Sequence, residues 1–287
     1  MLRRFRLEEP GSVKEVSELL GRFGESAKIY AGGTELLLAM KEGLIQYERL
    51  INVKGVKGLN TVNSDNGVIS IGALCTHRQL ESSSVLQQKL PALVRLEQNV
   101  ANVRVREAGT IGGNLCFAEP HADPGTLLIA LGAKMTAEKA SGKREIVAQD
   151  FFIDAYETCL EPDEVLTEIH VPIPGTNSSA AYLKFGYLER PSVGVAIALT
   201  INPGEKSLAD VKIAVGCAGP APKRVMEAEA MLKGKSIEEG TGVIAKAGEV
   251  AAREAQAISD LHGSQEYKEH IVGVLLKRSL HSALSQC

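Results

Sequence analysis

Closely spaced cysteines are missing from this sequence: of the five, at positions 75, 116, 159, 217 and 287, the nearest two, Cys75 and Cys116, are 41 positions apart. An odd number spread over the whole length is not a disulfide framework. Iron–sulfur and structural zinc sites recruit at least one close cysteine pair, so a cluster held by this chain alone is not expected, and any iron–sulfur relay has to lie on another chain. Buried, inert thiols are the expectation for all five. Excess positive charge is missing as well: Lys and Arg number 32 against 35 Asp and Glu, a formal net charge of -3 with no long basic run. The electrostatic footprint of a nucleic-acid binder is therefore absent. No apolar stretch approaches the roughly 18 residues of a membrane span, and no transmembrane segment is expected. The basic start Met1-Leu2-Arg3-Arg4-Phe5-Arg6 runs into Glu8, Glu9 and Pro10 without the apolar stretch of a secretory signal. A cytoplasmic or cytoplasm-facing protein is expected.

Familiar catalytic patterns are also lacking. There is no G-x-G-x-x-G, so a Rossmann nucleotide site is not supported. Gly234-Lys235-Ser236 looks like the end of a phosphate-binding P-loop, but Glu229 stands where the earlier glycine is needed and no strand precedes it. The six histidines have no ligand spacing, Glu266 and His270 share a helix face as surface pairs do, and no Ser/His/Asp or Cys/His nucleophile can be assembled.

What the sequence does have is two glycine-rich segments about 80 residues apart, Ala31-Gly32-Gly33-Thr34-Glu35-Leu36-Leu37 and Gly109-Thr110-Ile111-Gly112-Gly113-Asn114-Leu115. Each can bring bare backbone N–H groups against a phosphate, and neither contains Lys or Arg, so amide dipoles would meet the anion. Two phosphates, and hence a dinucleotide, fit this pattern; two ordinary tight turns fit it too.

The surrounding pattern is of mixed α and β type. Ser12 and Glu15 form a capping box after Pro10-Gly11, with Val13, Val16, Leu19, Leu20 and Phe23 as a helical stripe. A strand over 27–31 delivers the first glycine segment, Thr34 is placed to cap a helix running through Met40, and 50–53 reads as a strand. A strand follows over 68–73, then a second capping box at Thr76 and Gln79, and a helix after Pro91. Asp123-Pro124 combines a cap residue with a first-turn proline ahead of an apolar helix over 126–131. A strand over 164–171 precedes a linker built from Pro172, Pro174, Gly175 and Asn177-Ser178-Ser179. Strand candidates at 181–186, 193–201 and 209–216 are followed by helix candidates at about 224–233, 237–257 and 265–284, the order of an α+β domain with helices on one side.

The stretch 29–37, then Thr110-Ile111-Gly112-Gly113-Asn114-Leu115, then Ala122-Asp123, closely resembles the FAD-binding (medium) subunits of molybdenum hydroxylases. That family includes the medium subunit of aerobic carbon monoxide dehydrogenase and the flavin region of xanthine dehydrogenase. The resemblance covers nearly the whole chain. It implies an α+β fold: a two-subdomain FAD-binding domain of the vanillyl-alcohol-oxidase (PCMH) type over 1–175, with subdomains of about 1–57 and 58–175. A C-terminal domain over 176–287, with a three-stranded antiparallel sheet and three helices, completes it. The family's pyrophosphate loop falls on Ala31, Gly32, Gly33, Thr34, Glu35 and Leu36, and its second loop on Thr110, Ile111, Gly112, Gly113 and Asn114. A charge-assisted hydrogen bond contributes about 1.5–3 kcal/mol, so several amides suffice for a diphosphate. A branched residue at Gly33 or Gly113 is expected to cost the cofactor before the fold.

By the same resemblance Asp123 lies near the ribityl side of the flavin while also capping its helix. Leu166 and Lys184 match cofactor-contact positions, Lys184 near the isoalloxazine carbonyls. Arg190-Pro191-Ser192-Val193 departs from relatives that place an aromatic or acidic residue beside the ring. Thr34 stands where some related flavoenzymes attach flavin through histidine, so noncovalent FAD is implied. The implied partners are a large molybdopterin subunit, where the primary substrate is oxidised, and a small subunit with two [2Fe-2S] clusters. A dimer of heterotrimers passing electrons to an external acceptor is implied, in the cytoplasm or at the inner face of the membrane through partners. A self-contained FAD-dependent oxidase or dehydrogenase is the alternative, for which the sequence offers no clear acid or base beside the flavin.

Overall fold

The computed structural model describes residues 2–186 and 190–287. Three short parallel strands open the fold, with Arg49–Asn52 between Arg6–Glu8 and Ala27–Tyr30. Parallel neighbours cannot be joined by a hairpin, so helices Val13–Phe23 and Leu36–Glu42 return the chain. Ser12 caps the first helix by accepting from the Glu15 amide, and the Glu15 carboxylate closes the cap on the Gly11 amide. Val16 and Leu20 of its stripe pack on Ala27, Ile51 and Val53. The expected Thr34 cap does not form. Helix Leu36–Glu42 starts behind Glu35 with no side-chain cap, because the Thr34 hydroxyl faces Gly109 instead.

The second unit is a five-stranded antiparallel sheet in the order Val62–Asp65, Val68–Gly72, Val165–Pro172, Lys134–Lys139, Gly142–Val147. Ile69, Ile71, Met135, Ala137, Ile169 and Val171 form its fully buried face. Sequence patterning passes over Val62–Asp65 and the hairpin 134–147 because the outer strands carry few apolar residues; Gly142–Val147 buries only Ile146. Both halves of the Thr76–Gln79 capping box are made. A bulge at Thr167 in the central strand shifts the register between Leu166 and Glu168, the kind of local twist that re-aims side chains near sites.

The C-terminal unit is an antiparallel sheet of Ser178–Phe185, Val193–Asn202, Ser207–Gly216 and the two-residue strand Lys223–Arg224. It thus has four strands where three are expected, since two residues leave no periodicity to read, and the linker ends two residues earlier than expected, at Asn177. Helices Met226–Leu232, Ile237–Ala255 and Gln265–Leu284 cover one face. Ser236, the serine of the P-loop-like triplet, caps Ile237–Ala255 in a capping box with Glu239. The two long helices cross at Gly248 and Gly273, where a Cβ on Gly248 would stand 2.9 Å from Gly273 Cα. The other face of the sheet lies on helix Pro124–Leu131, whose eight residues are all buried, so one apolar helix joins the second and third units. No helix among the described residues is long and apolar enough to cross a membrane.

Candidate functional site

The two glycine segments, distant in sequence, meet back to back. A Cβ on Gly32 would overlap the Ala108 carbonyl oxygen and stand 2.7 Å from Gly109 Cα. Gly33 turns the chain with φ 74°, a left-handed conformation that favours glycine. The amides of Gly32, Gly33, Thr34, Glu35 and Leu36 find no acceptor among the described residues. Five successive donors are thus free on one loop, a concave anion site made of backbone dipoles.

The second segment is built differently. Thr110 caps the helix Ile111–Phe117, its hydroxyl accepting from the Gly113 amide at 3.0 Å. Ile111 and Gly112 donate to the carbonyls of Cys75 and Ala73. The expectation that both segments offer bare amides therefore holds for the first alone; the second gives close approach, since a Cβ on Gly112 would stand 2.6 Å from Ala73 Cβ. Its free group is a side chain: Asn114 Oδ1 is buried with no partner among the described residues.

Both segments line a cavity of about 790 Å³ between the three units. Of the residues singled out from the sequence, Ala31, Gly32, Gly33, Thr34, Glu35, Leu36, Thr110, Gly112, Gly113, Asn114, Asp123 and Leu166 lie on its wall, whereas Ile111 and Lys184 do not. Ile111 is turned into the core. The Lys184 ammonium stands one layer back, donating to Asp123 Oδ2 and the Asn99 carbonyl, both at 2.8 Å.

Asp123 does not cap its helix, although it occupies the position before Pro124. Its carboxylate turns instead to Lys184 and to the Tyr182 hydroxyl, 2.6 Å away. Two charge-assisted partners outweigh one neutral amide. Burial pushes the Asp123 carboxyl up, against the pull of Lys184 and Tyr182, and burial beside that carboxylate drives the Tyr182 phenol well above its ordinary value. Cys116, half-buried rather than buried as expected, lines the cavity, and its desolvated thiol is pushed up to about 12, so it is no nucleophile.

Several wall residues carry no signal in the sequence because only the fold collects them: Lys28, His77, Glu119 and His121, which join Arg190 of the divergent segment 190–193 on the wall. Lys28 gives the cavity a cation although the glycine loops have none. At the mouth Arg190 bridges Glu35 at 2.8 Å and Glu119 at 3.2 Å. Glu119 continues to His121, His121 to Asp260, and Asp260 to the fully buried Lys268. Burial works to raise the Glu119 carboxyl, but His121 and Arg190 together hold it below the usual range.

This chain of charges ties the C-terminal unit to the cavity, and the rings of His121 and His262 meet at a tilt of 50° with centroids 4.3 Å apart. Burial and the His121 charge lower His262 below its ordinary 6.5. A histidine whose folded value is depressed contributes stability that is present above 6.5 and lost as pH falls through the folded value. The melting temperature is therefore expected to fall as pH drops below about 6.5, and His262→Phe, which keeps an aromatic ring, is expected to flatten that slope in thermal melts. An unchanged slope in the variant counts against the assignment.

Known proteins were compared with this geometry in view. The family model of the FAD binding domain in molybdopterin dehydrogenase matches residues 3–174, and that of the CO dehydrogenase flavoprotein C-terminal domain matches residues 190–283. The chain is 31% identical over 284 residues to the carbon monoxide dehydrogenase medium chain of Hydrogenophaga pseudoflava, covering 99% of this chain and 98% of that one. It is 30% identical over 281 residues to the nicotine 6-hydroxylase medium subunit of Paenarthrobacter nicotinovorans, covering 97% and 96%. Among solved structures, the carbon monoxide dehydrogenase of Hydrogenophaga pseudoflava that lacks the Mo-pyranopterin moiety superimposes with a TM-score of 0.95 at 32% identity, over 100% of this chain and 99% of that one.

Proposed function

Since the chain belongs to the family of FAD-binding domains of molybdopterin dehydrogenases, we propose that it is the electron-transfer subunit of a molybdenum hydroxylase complex, accepting electrons from [2Fe-2S] clusters on a small partner subunit. The acceptor that then takes the electrons is external, and the primary substrate is oxidised on a large molybdopterin subunit. Medium chains of such oxidoreductases are its relatives over almost their full lengths, which supports large and small partner subunits; a dimer of heterotrimers working in the cytoplasm is the assembly we propose. Domains of 1–175 and 176–287 are the units we propose, the first holding FAD between its subdomains of about 1–57 and 58–175.

One observation carries the reading: a loop of five free amides and an unpartnered buried Asn114 oxygen open onto the same cavity. The donor set fits FAD. Ala31 to Leu36 would hold the diphosphate by backbone N–H groups. Thr110, Gly112 and Gly113 would shape the wall, and Ile111 would seat it from the core. Asn114 and Asp123 would meet hydroxyls of the ribityl chain, an interaction in which a carboxylate accepts. Leu166, re-aimed by the bulge at Thr167, would pack on the flavin. Lys184 would act through Asp123 by keeping its charge compensated. When bound, FAD supplies two-electron chemistry that can be entered one electron at a time. The residues around it bind, orient and exclude water.

Thr34 lines the cavity and offers no ring nitrogen for attachment, so FAD is held noncovalently. Purified chain is expected to show a flavin spectrum, and denaturation is expected to release all of the flavin into the filtrate. Flavin retained on the denatured polypeptide, or a folded chain that takes up no FAD, overturns the reading. Turnover of a primary substrate by the chain alone, without molybdenum or iron–sulfur partners, does so as well.

A further inference from the structure

His77 and Glu97 form a buried pair in the wall of the cavity. His77 is 2% exposed and Glu97 0%; Nδ1 of the ring is 2.6 Å from Glu97 Oε2, and Glu97 Oε1 has no partner among the described residues. Resting on the FAD reading above, we infer that His77, oriented by Glu97, donates a hydrogen bond from Nε2 to the diphosphate of the bound dinucleotide.

Proton bookkeeping makes Nε2 a donor when an anion faces it. Three arrangements satisfy the short Nδ1–Oε2 contact. An imidazolium beside a carboxylate is neutral as a pair and carries a proton on Nε2. A protonated carboxyl donating to a neutral ring is also neutral and again leaves the proton on Nε2. The third, a neutral ring with its proton on Nδ1 beside a carboxylate, makes Nε2 an acceptor, and a diphosphate oxygen has no proton to offer it, so an anion bound here selects one of the first two. In both of these Nε2–H faces its surroundings as a donor, and Nε2 has no partner among the described residues.

The position of the ring selects the diphosphate. His77 donates its own backbone amide to the Gly109 carbonyl at 3.1 Å. A Cβ on Gly109 would stand 3.2 Å from His77 Cδ2 and 3.4 Å from Thr34 Oγ1. The ring edge that carries Cδ2 and Nε2 therefore lies beside the junction of the two glycine segments, next to the loop of free amides. His77 would add a fixed side-chain donor to a cradle otherwise made of backbone.

The test titrates FAD, ADP and riboflavin into the ligand-free full chain and into its His77→Asn and His77→Gln variants. Asn keeps a donor for Glu97 and removes the one at Nε2; Gln reaches the Nε2 position. His77→Asn is expected to weaken FAD and ADP by about ten- to hundredfold and to leave riboflavin unchanged, while His77→Gln recovers most of the loss. Melting of the ligand-free variants reports folding separately. Should His77→Asn not fold, Glu97→Met, which removes the partner that orients the ring without altering the ring, is expected to weaken ADP and FAD alike. Unchanged ADP affinity in a folded variant, or an equal loss for riboflavin, overturns the inference. A folded wild-type chain that binds neither FAD nor ADP removes the FAD reading itself, and this inference with it.

Discussion

Replacing Gly32 by valine is expected to abolish FAD uptake while the three sheets stay folded. The position has no room: a Cβ there meets the Ala108 carbonyl oxygen and Gly109 Cα, both backbone, so the two glycine segments must separate. Overpacking of this kind costs about 1–3 kcal/mol of stability, which a chain with three separate cores tolerates. The cradle does not tolerate it, because the loop that carries the five free amides rests directly on residues 108–109. Affinity for FAD is expected to fall by more than about a hundredfold, the loss of two or so charge-assisted hydrogen bonds, with far-ultraviolet dichroism unchanged. Wild-type affinity in the variant would show that the junction does not shape the site. Gly113→Ala is the contrast: its Cβ meets only the Thr110 hydroxyl, at 2.8 Å. A rotated hydroxyl gives up one helix cap, about 1 kcal/mol, and FAD affinity changes little. Sensitivity therefore shifts from the Gly33 and Gly113 pair that the sequence suggests to Gly32 and Gly33.

Lys184→Met is expected to destabilise the chain by about 3–5 kcal/mol at neutral pH, because it leaves the buried Asp123 charge without its cation. The double variant Lys184→Met/Asp123→Asn should recover most of that loss, since an amide oxygen still accepts from Tyr182. The dependence on pH has a definite sign. Burial already raises Asp123 above its ordinary 3.8, and removing Lys184 takes away an opposing cause. A group with a raised folded value gives stability that is fully present below the unfolded value and lost as pH rises through the folded one. The penalty in the single variant is thus largest at neutral pH and shrinks toward about pH 4. Urea unfolding at both ends of that range measures it; a penalty that does not vary with pH, or that the second substitution leaves untouched, refutes the electrostatic account.

Much of the fold is legible along the chain where an element buries one face and carries its own punctuation. Helix Val13–Phe23 has a cap, a stripe and a terminal glycine, and helix Ile237–Ala255 has a capping box. Elements without such marks are not legible. Strand Gly142–Val147 buries one residue, and Lys223–Arg224 is a two-residue strand made by its neighbour. Asp123 shows the same limit at the level of one side chain. Asp-Pro is a strong local signal for a cap, and the carboxylate nevertheless turns to Tyr182 and Lys184, from a strand some 60 positions away, since a buried charge is satisfied better by a cation and a phenol than by one amide.

By itself the sequence determined the kind of ligand. Glycine at positions 32 and 33 frees the backbone of the first loop, the scattered cysteines offer no close pair to an iron–sulfur cluster, and the motif order resembles a flavin subunit. These are local or compositional properties, readable because steric freedom and ligand chemistry belong to the residue type. Tertiary structure alone decided which of the two glycine segments has free amides, since that depends on whether another segment takes them, as Ala73 and Cys75, in the turn after strand Val68–Gly72, take those of Gly112 and Ile111. It also decided that His77 and Arg190 stand on the same wall and that Lys184 stands behind it, because burial and charge pairing are properties of neighbours that are distant along the chain.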